Sequence, residues 1–440
     1  MPDKDKIISL LFEIILVFII VFSPVFFGSY LPIPLAILES GCLLLLLVCL
    51  LKILSNPVHQ VTYPAGMVFI VLFFCLLVFQ LIPLPQPILN IISTHTDYLY
   101  HNYSSGFDSR NFYPVSLYPL NTREELVKLF CYFAVFLAVI NCIEKRAQFK
   151  RIFLVIILLG LALAFYGIFK KYFILGKEVT YAFSTFGSKN HFSAYMIMVF
   201  SLTVGYSLYC FNTTKKILFG LFAAIIAATI FVSLSRAGAI SIVFSLVLLA
   251  YFLKRNNLIK KEYATLMLVV IALLALVFLI GVGPVKERFG LLSKDLFSDR
   301  WHINRDSLAM FRDFPLFGVG LGNFHYCFTA YRNFVSALYT NQMHNDNLQV
   351  IMETGIFGGL LFFLFIFIIL KKILTMAEER KDPFVKNMAI AGACGICGVL
   401  FHSFFDFNFH IPAVFFLFWL ILGLLYKCVH THFTYEDKDV

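Results

Sequence analysis

Residues 7–28 read IISLLFEIILVFIIVFSPVFFG and contain a single charged side chain, Glu13. A membrane-spanning helix needs about 20 consecutive and mainly apolar residues, so this stretch is long enough to cross a bilayer. It follows the polar start MPDKDK. It is too long for the apolar part of a cleaved signal peptide, and no small-residue cleavage site follows it. We therefore expect it to be retained as a first membrane span.

The same apolar pattern recurs along the chain. Twelve blocks meet the length criterion, and they lie at residues 7–28, 33–51, 65–82, 124–143, 152–169, 191–211, 216–234, 237–253, 263–283, 347–370, 387–405 and 411–427. No internal repeat of the kind that builds many transporters is visible. We predict an all-α polytopic integral membrane protein with about 12 transmembrane helices, in which residues 1–440 form a single membrane domain.

The composition excludes most other classes of protein. Of the 440 residues, 60% are apolar and 14% are charged, whereas soluble domains have about 45–50% and about 25%. A soluble core could not bury so much apolar surface, which excludes a water-soluble enzyme and a disordered chain. The ten cysteines lie mostly in or beside apolar blocks, which excludes a disulfide scaffold. A β-barrel would alternate apolar and polar residues.

The net charge of +10 is explained by membrane topology. The basic residues form short clusters between apolar blocks, so nucleic-acid binding is not expected. Cytoplasmic loops are enriched in Lys and Arg, and an N-terminus in the cytoplasm leaves few bases in the short outer loops. Those few are Lys170, Lys171, Lys177, Lys189 and Arg236. Both termini are therefore predicted to be cytoplasmic, with two long segments outside: 83–123, and 284–346 before the tenth span.

Two candidate sites lie in the short outer loops. Arg236, within Ser235-Arg236-Ala237-Gly238, stands alone between two apolar spans. An isolated charge at membrane depth is by default a functional hypothesis, and the alternative is a snorkelling anchor. Lys189, Asn190 and His191 open the sixth span. They form either an anion site at a helix N-terminus or a plain interfacial cap.

The longer outer segment carries further candidates. Arg300 and Arg305 are expected on nearby faces of one helix, a pattern that by itself is more typical of a solvated basic helix. Residues 315–324 read PLFGVGLGNF, and the alternating glycines predict a tight turn. They do not form a dinucleotide-binding fingerprint, because no strand precedes them.

Polar residues also stand at the ends of the last spans. His344, Asn345 and Asp346 lead into the tenth span, where Asn345 or Asp346 can cap the helix but His344 is left unexplained by capping. His402 and Asp406 are four residues apart and are expected to share a helix face. Because a buried carboxylate is costly alone, we expect Asp406 to be paired with a His or Arg. No compact zinc-binding spacing is present, so no metal is expected.

Taken in order over residues 180–430, these motifs resemble the O-antigen ligase and polymerase superfamily. The resemblance implies a GT-C-type glycosyltransferase with about a dozen spans and a large periplasmic loop before the tenth. It implies an enzyme of the bacterial inner membrane that uses neither metal nor cofactor. Such an enzyme moves a glycan from an undecaprenyl-diphosphate carrier to an acceptor.

The resemblance also implies roles for single residues. His344 is the expected general base, since a histidine with an ordinary pKa near 6.5 suits proton removal from a hydroxyl. Positive charge must meet the diphosphate leaving group. We assign that part to Arg236, Arg300 and Lys189. The expected supporting residues are Asn190, His191, Arg305, Asn345, Asp346, His402 and Asp406.

The sequence leaves the acceptor open. Transfer to lipid A-core would make the protein a ligase, and transfer to a second lipid-linked glycan would make it a polymerase. Transfer to a protein Ser or Thr would make it a protein glycosyltransferase. The other expected partner is membrane lipid. A transporter of lipid-linked glycan is an alternative of a different class. It should carry charged residues through the bilayer centre and at both faces, whereas here they cluster at one face.

Overall fold

The computed structural model describes residues 2–56, 60–104, 108, 110–174, 182–256, 296–334 and 341–433. In chain order the helices are α1 (Pro2–Val25), α2 (Pro32–Ser55), α3 (Met67–Phe79), α4 (Gln86–Ile92), α5 (Thr94–Tyr103), α6 (Pro119–Cys142), α7 (Arg146–Phe169), α8 (Lys189–Tyr209), α9 (Thr213–Val232), α10 (Arg236–Arg255), α11 (Leu296–Asp313), α12 (Phe324–Phe328), α13 (Asp346–Glu379), α14 (Pro383–His402) and α15 (Pro412–His430). Short 3₁₀ and π turns lie at Phe27–Ser29 and Lys170–Ile174. The strands β1 (Leu84–Pro85) and β2 (Phe112–Tyr113) form one antiparallel pair.

Within these ranges, ten helices are long and apolar enough to cross a membrane. They are α1, α2, α6 to α10, and α13 to α15. The prediction of an all-α polytopic membrane protein is therefore confirmed. The third predicted span, 65–82, corresponds to α3, which has only 13 residues. The ninth, 263–283, lies outside the described residues, and the number twelve stays a prediction.

The spans form an inner and an outer layer. In α8, 94% of the most apolar window is buried by protein, compared with 28% in α2. Helix α8 packs against α9 and α14, and α15 packs against α6. Small residues allow the close approach, since a Cβ added to Gly205 in α8 would lie 2.9 Å from the Cβ of Ala391 in α14. These contacts pack the inner helices closely against one another.

The two long segments that are predicted to lie outside the membrane, 83–123 and 284–346, are tied to each other. In the first, α6 begins at Pro119, so the helix starts inside the predicted loop 83–123. The second contains α11, the glycine turn and α12. Residues 284–295 and 335–340 of the predicted loop 284–346 lie outside the described residues. Leu117 N–H donates to Val319 O at 3.0 Å, and Asn323 Nδ2 donates to Ser116 Oγ at 3.0 Å.

The predicted glycine turn is confirmed, and it fits a break in α13. Gly318, Gly320 and Gly322 all have positive φ, a conformation that glycine adopts at little cost. Gly355 interrupts α13 with φ 68°. A Cβ on Gly318 would lie 2.3 Å from Glu353 C, and one on Gly355 would lie 2.1 Å from Leu316 O. The two backbones therefore touch directly, which fixes α11 relative to α13.

One local expectation is wrong. Helix α14 ends at His402, and Asp406 lies in the turn before α15, so the two residues do not share a helix face. The N–H groups of Phe404 and Phe405 bond to the carbonyls of Phe401 and His402, each three residues back. These tighter bonds end the α-helix.

Candidate active site

Asp406 is the centre of the site. Its Oδ1 lies 2.9 Å from His344 Nδ1 and accepts a bond of 2.9 Å from the backbone N–H of Phe407. Its Oδ2 accepts from Asn190 Nδ2 and lies 3.6 Å from an Arg300 guanidinium nitrogen. The expected pairing of this carboxylate with a His or Arg is therefore found with both residue types.

The charge state of Asp406 follows from these contacts. Burial by itself would raise the pKa of Asp406. The hydrogen bond from His344 and the positive charge of Arg300 outweigh burial and hold the pKa well below its usual range. Asp406 is thus a carboxylate at any neutral pH, and all its bonds must come from donors.

His344 is held in an unusual backbone conformation. Its φ of 55° lies in the left-handed region, which is uncommon for residues other than glycine. With Nδ1 facing Asp406, the hydrogen on Nδ1 is donated to the carboxylate, and Nε2 is left as the basic nitrogen. The His344 side chain is 32% exposed, so it can be reached from outside. Such strain is often found at functional sites.

A bond through Ser235 connects this centre to α10. Ser235 Oγ donates to Asn190 Oδ1 at 2.7 Å, so the amide of Asn190 must turn its NH₂ group toward Asp406. Ser235 also caps α10 by accepting from Gly238 N–H at 3.1 Å. The predicted phosphate-binding residues Lys189 and Arg236 are the immediate chain neighbours of Asn190 and Ser235.

Two further histidines lie close to the centre. The ring of Phe407 contacts both His191, at 4.7 Å between centroids, and His344, at 4.9 Å. His402 is fully buried at the end of α14. In the described part of the chain, His191 Nε2 and both ring nitrogens of His402 have no hydrogen-bond partner. The structure thus brings His191 and His402 to the centre without giving either a bond to it.

A second histidine–carboxylate pair lies beside the first. His410 Nδ1 is 2.9 Å from Asp346 Oδ1, and the N–H of Phe409 donates to Asp346 Oδ2 at 2.9 Å. His410 Nε2 is 3.0 Å from Gln349 Nε2, which also donates to Glu353 Oε1 at 2.9 Å.

The environment of His410 raises its pKa. Burial would lower the pKa of His410, but the hydrogen bond to Asp346 and the charges of Asp346 and Glu353 prevail and raise it. The two pairs are joined through the backbone, since Asp346 N–H lies 3.4 Å from Asp406 O.

Two predicted supporting residues have other contacts. Arg305 bonds to the adjacent Asp306 at 2.9 and 3.0 Å and is half exposed. Asn345 is the N-cap of α13, where its side chain accepts from Leu348 N–H at 3.2 Å. Neither contact joins the Asp406 centre.

The sequence analysis assigned no role to several residues that build the site. Ser235 was visible as an N-cap type before Arg236, and this position could have suggested it. His410 lies in the turn between α14 and α15, and no role was predicted for it. Phe407 and Gln349 carry no sequence signal, because one is a phenylalanine among 53 and the other is one amide in a polar junction.

Metal ligation was also considered for this cluster. Over the ranges that the structure describes, no group of three or more His, Cys, Asp or Glu side chains could hold a metal ion. His344 and His410 bond to carboxylates instead.

Comparison with known families decides the class of the protein. Residues 221–363 match the family model described as O-antigen ligase. Over this range, about a third of the chain, the sequence is similar to the O-antigen ligase family. The resemblance to the O-antigen ligase and polymerase superfamily is confirmed, and with it a multi-pass membrane protein of the polysaccharide-synthesis class. No curated protein matches the chain.

The range that matches the O-antigen ligase family contains only part of the site. It includes Arg236, Arg300 and His344, whereas Asn190 and Asp406 lie outside it. Hydrogen bonds join residues inside the matched range to α8 and to the turn before α15.

Proposed function

We propose that this chain transfers a glycan from an undecaprenyl-diphosphate carrier to an acceptor hydroxyl at the periplasmic face of the bacterial inner membrane. The observation that carries the proposal is the contact between His344 and Asp406, made beside Arg300 and Asn190. A histidine held in one orientation beside a guanidinium supports a base that acts next to the leaving diphosphate.

The chemistry follows from the orientation of His344. Asp406 accepts the Nδ1 hydrogen, and Nε2 takes the proton of the acceptor hydroxyl. The acceptor oxygen forms a bond to the anomeric carbon while the bond from that carbon to the diphosphate oxygen breaks. The diphosphate leaves with the electron pair as an anion, and the proton stays on His344. Asp406 stabilises the resulting imidazolium.

The leaving diphosphate requires positive charge rather than an acid. Arg300 uses one nitrogen on the Phe405 carbonyl and another near Asp406, and a guanidinium has five donors. Donors therefore remain for a phosphate. We assign the rest of the charge to Arg236 and Lys189, which take the place of a metal ion.

The membrane arrangement belongs to the same proposal. We infer a GT-C-type architecture of 12 spans with both termini cytoplasmic and the segments 83–123 and 284–346 in the periplasm. Labelling of single cysteines placed at residue 308, an exposed position of α11, and at residue 440 tests it. A C-terminus labelled from outside contradicts the orientation.

Transfer by reconstituted protein tests the function. Purified protein in vesicles is given lipid-linked glycan and candidate acceptors, with and without excess EDTA. We expect transfer in both conditions, and loss with EDTA that a divalent ion restores contradicts the metal-free mechanism. His101→Ala, a change at an exposed histidine of α5, serves as the control for changes at His344.

The acceptor is identified in cells that lack the protein. Polymer left on the carrier lipid indicates a ligase, shortened glycan indicates a polymerase, and unglycosylated protein indicates a protein glycosyltransferase. Lipid-linked glycan that stays on the cytoplasmic leaflet indicates a transporter and contradicts the proposal. Cells that carry His344→Ala should show the same defect as the deletion.

A further inference from the structure

A cavity lies between the two long outer segments, and neither Asp406 nor His344 lines it. Its volume is about 520 Å³, within the range of small-molecule sites. It is formed where the junction of α4 and α5 meets the end of α11 and the start of the glycine turn. Its lining includes His95, Tyr98, Arg312, Asp313, Phe314 and Leu316.

The lining combines aromatic faces with a few polar groups. The rings of His95 and Phe314 pack edge to face at 5.0 Å, and His95 lies 5.5 Å from Tyr98. The side chain of Tyr98 is 51% exposed, so its ring is available to a ligand. Flat rings suit the C–H face of a sugar, and fixed polar groups suit its hydroxyls.

The polar groups of this cavity are held in place. Asp313 accepts from Tyr331 O–H at 2.6 Å and lies 3.7 Å from His95 Nε2. Tyr331 O–H also lies 3.2 Å from His95 Nε2. Arg312 is exposed at the rim. A carboxylate accepts bonds from hydroxyls and a guanidinium donates to them, so one ligand with many hydroxyls fits both.

Helix α11 connects this cavity to the proposed active site. Arg300 and Arg312 are 12 residues apart on that helix, which corresponds to about 18 Å along its axis. A single sugar at the reaction centre would not reach the cavity. A chain of several sugars would extend toward it.

We propose that this cavity is a distal glycan subsite, which binds a saccharide chain several units from the bond that is made. The proposal rests on the proposed glycosyl transfer. The chain belongs either to the donor or to the acceptor, since both carry the same hydroxyl chemistry. Its role is to hold long substrates, with no part in the reaction itself.

Kinetics with substrates of two lengths test the subsite. The probes are lipid-linked glycan extracted from cells that make it and the same material trimmed to one sugar, each used as donor and then as acceptor. Tyr98→Ala and Arg312→Ala are expected to raise KM for the long form about tenfold and to leave kcat and the trimmed form unchanged. An effect on the donor series alone assigns the chain to the donor, and an effect on the acceptor series alone assigns it to the acceptor.

The controls keep folding and the proposed function separate. Arg110→Ala removes another exposed arginine of the outer segments, one that pairs with Asp108 and does not line the cavity, and should change nothing. Saturation-transfer NMR of the free glycan should show binding to His344→Ala protein and not to the doubly substituted Tyr98→Ala, Arg312→Ala protein. Equal effects on long and trimmed substrates, or unchanged glycan binding, overturn the subsite. Full activity of His344→Ala overturns only the proposed base.

Discussion

The molecule contains two histidine–carboxylate pairs that look alike and differ in access. His344 and Asp406, and His410 and Asp346, are each joined at 2.9 Å through Nδ1. The His344 side chain is 32% exposed and its Nε2 has no hydrogen bond among the described residues, whereas Nε2 of His410 meets Gln349.

The difference shows how one motif serves two purposes. A base needs a free nitrogen and a route for substrate, and His344 has both. His410 faces Asp346 through Nδ1 and lies beside Gln349 through Nε2, and its contact with Asp346 ties the turn before α15 to the first turn of α13. We infer that the first pair acts in the reaction and that the second holds the first in place.

The largest expected effect is that of His344→Ala. Removal of a general base costs about 10²–10⁴-fold in rate, and we expect such a loss of transfer with a normal amount of protein in the membrane. Initial rates in vesicles and thermal unfolding in detergent measure the two quantities. Activity equal to that of His101→Ala would show that His344 does not supply the base.

A smaller loss is expected for Asp406→Asn, of about 10- to 10²-fold in kcat. The new amide must turn its NH₂ toward either His344 or the donors of Asn190 and Arg300. One donor therefore always faces another donor. Values of kcat for the variant and the wild type in reconstituted vesicles check this. An unchanged kcat would assign Asp406 a purely structural role.

Arg236→Lys should reduce transfer by about tenfold. The charge is kept, but the planar group that binds two phosphate oxygens at once is lost. The readout is kcat/KM against the lipid-linked donor, with Arg110→Ala as the surface control. Equal rates for Arg236→Lys and the wild type would show that only the charge matters. A fully active Arg236→Ala would show that Arg236 is not part of the site.

The smallest effect on rate is expected for His410→Gln, and its main effect should be on stability. The pKa of His410 is raised in the folded protein, so its stabilising contribution is complete below the unfolded pKa of about 6.5. The contribution is lost as pH rises through the folded pKa. Unfolding midpoints in detergent should therefore differ between variant and wild type by a few degrees at pH 6, and less at pH 9. A gap that widens with pH contradicts this assignment.

The sequence predicted the helices well where composition alone decides them. Blocks such as 191–211 and 411–427 fall on α8 and α15, because a bilayer requires long apolar helices whatever their neighbours. The sequence predicted less well where local bonds decide. Asp406 was placed on the face of a helix that in fact ends at His402, since the end of α14 depends on turn bonds that its apolar pattern does not encode.

The sequence by itself determined where the apolar helices lie and where Lys and Arg cluster, because apolar length and the distribution of Lys and Arg are properties of the chain alone. It also supplied the candidates His344, Arg300, Asn190 and Asp406. Only the tertiary structure decided that these residues meet at the carboxylate of Asp406. They come from α8, from α11, from the loop before α13 and from the turn between α14 and α15. Their partners are chosen by helix packing and by the glycine contact between α11 and α13. Residues 216 positions apart, such as Asn190 and Asp406, leave no trace of that contact in a single sequence.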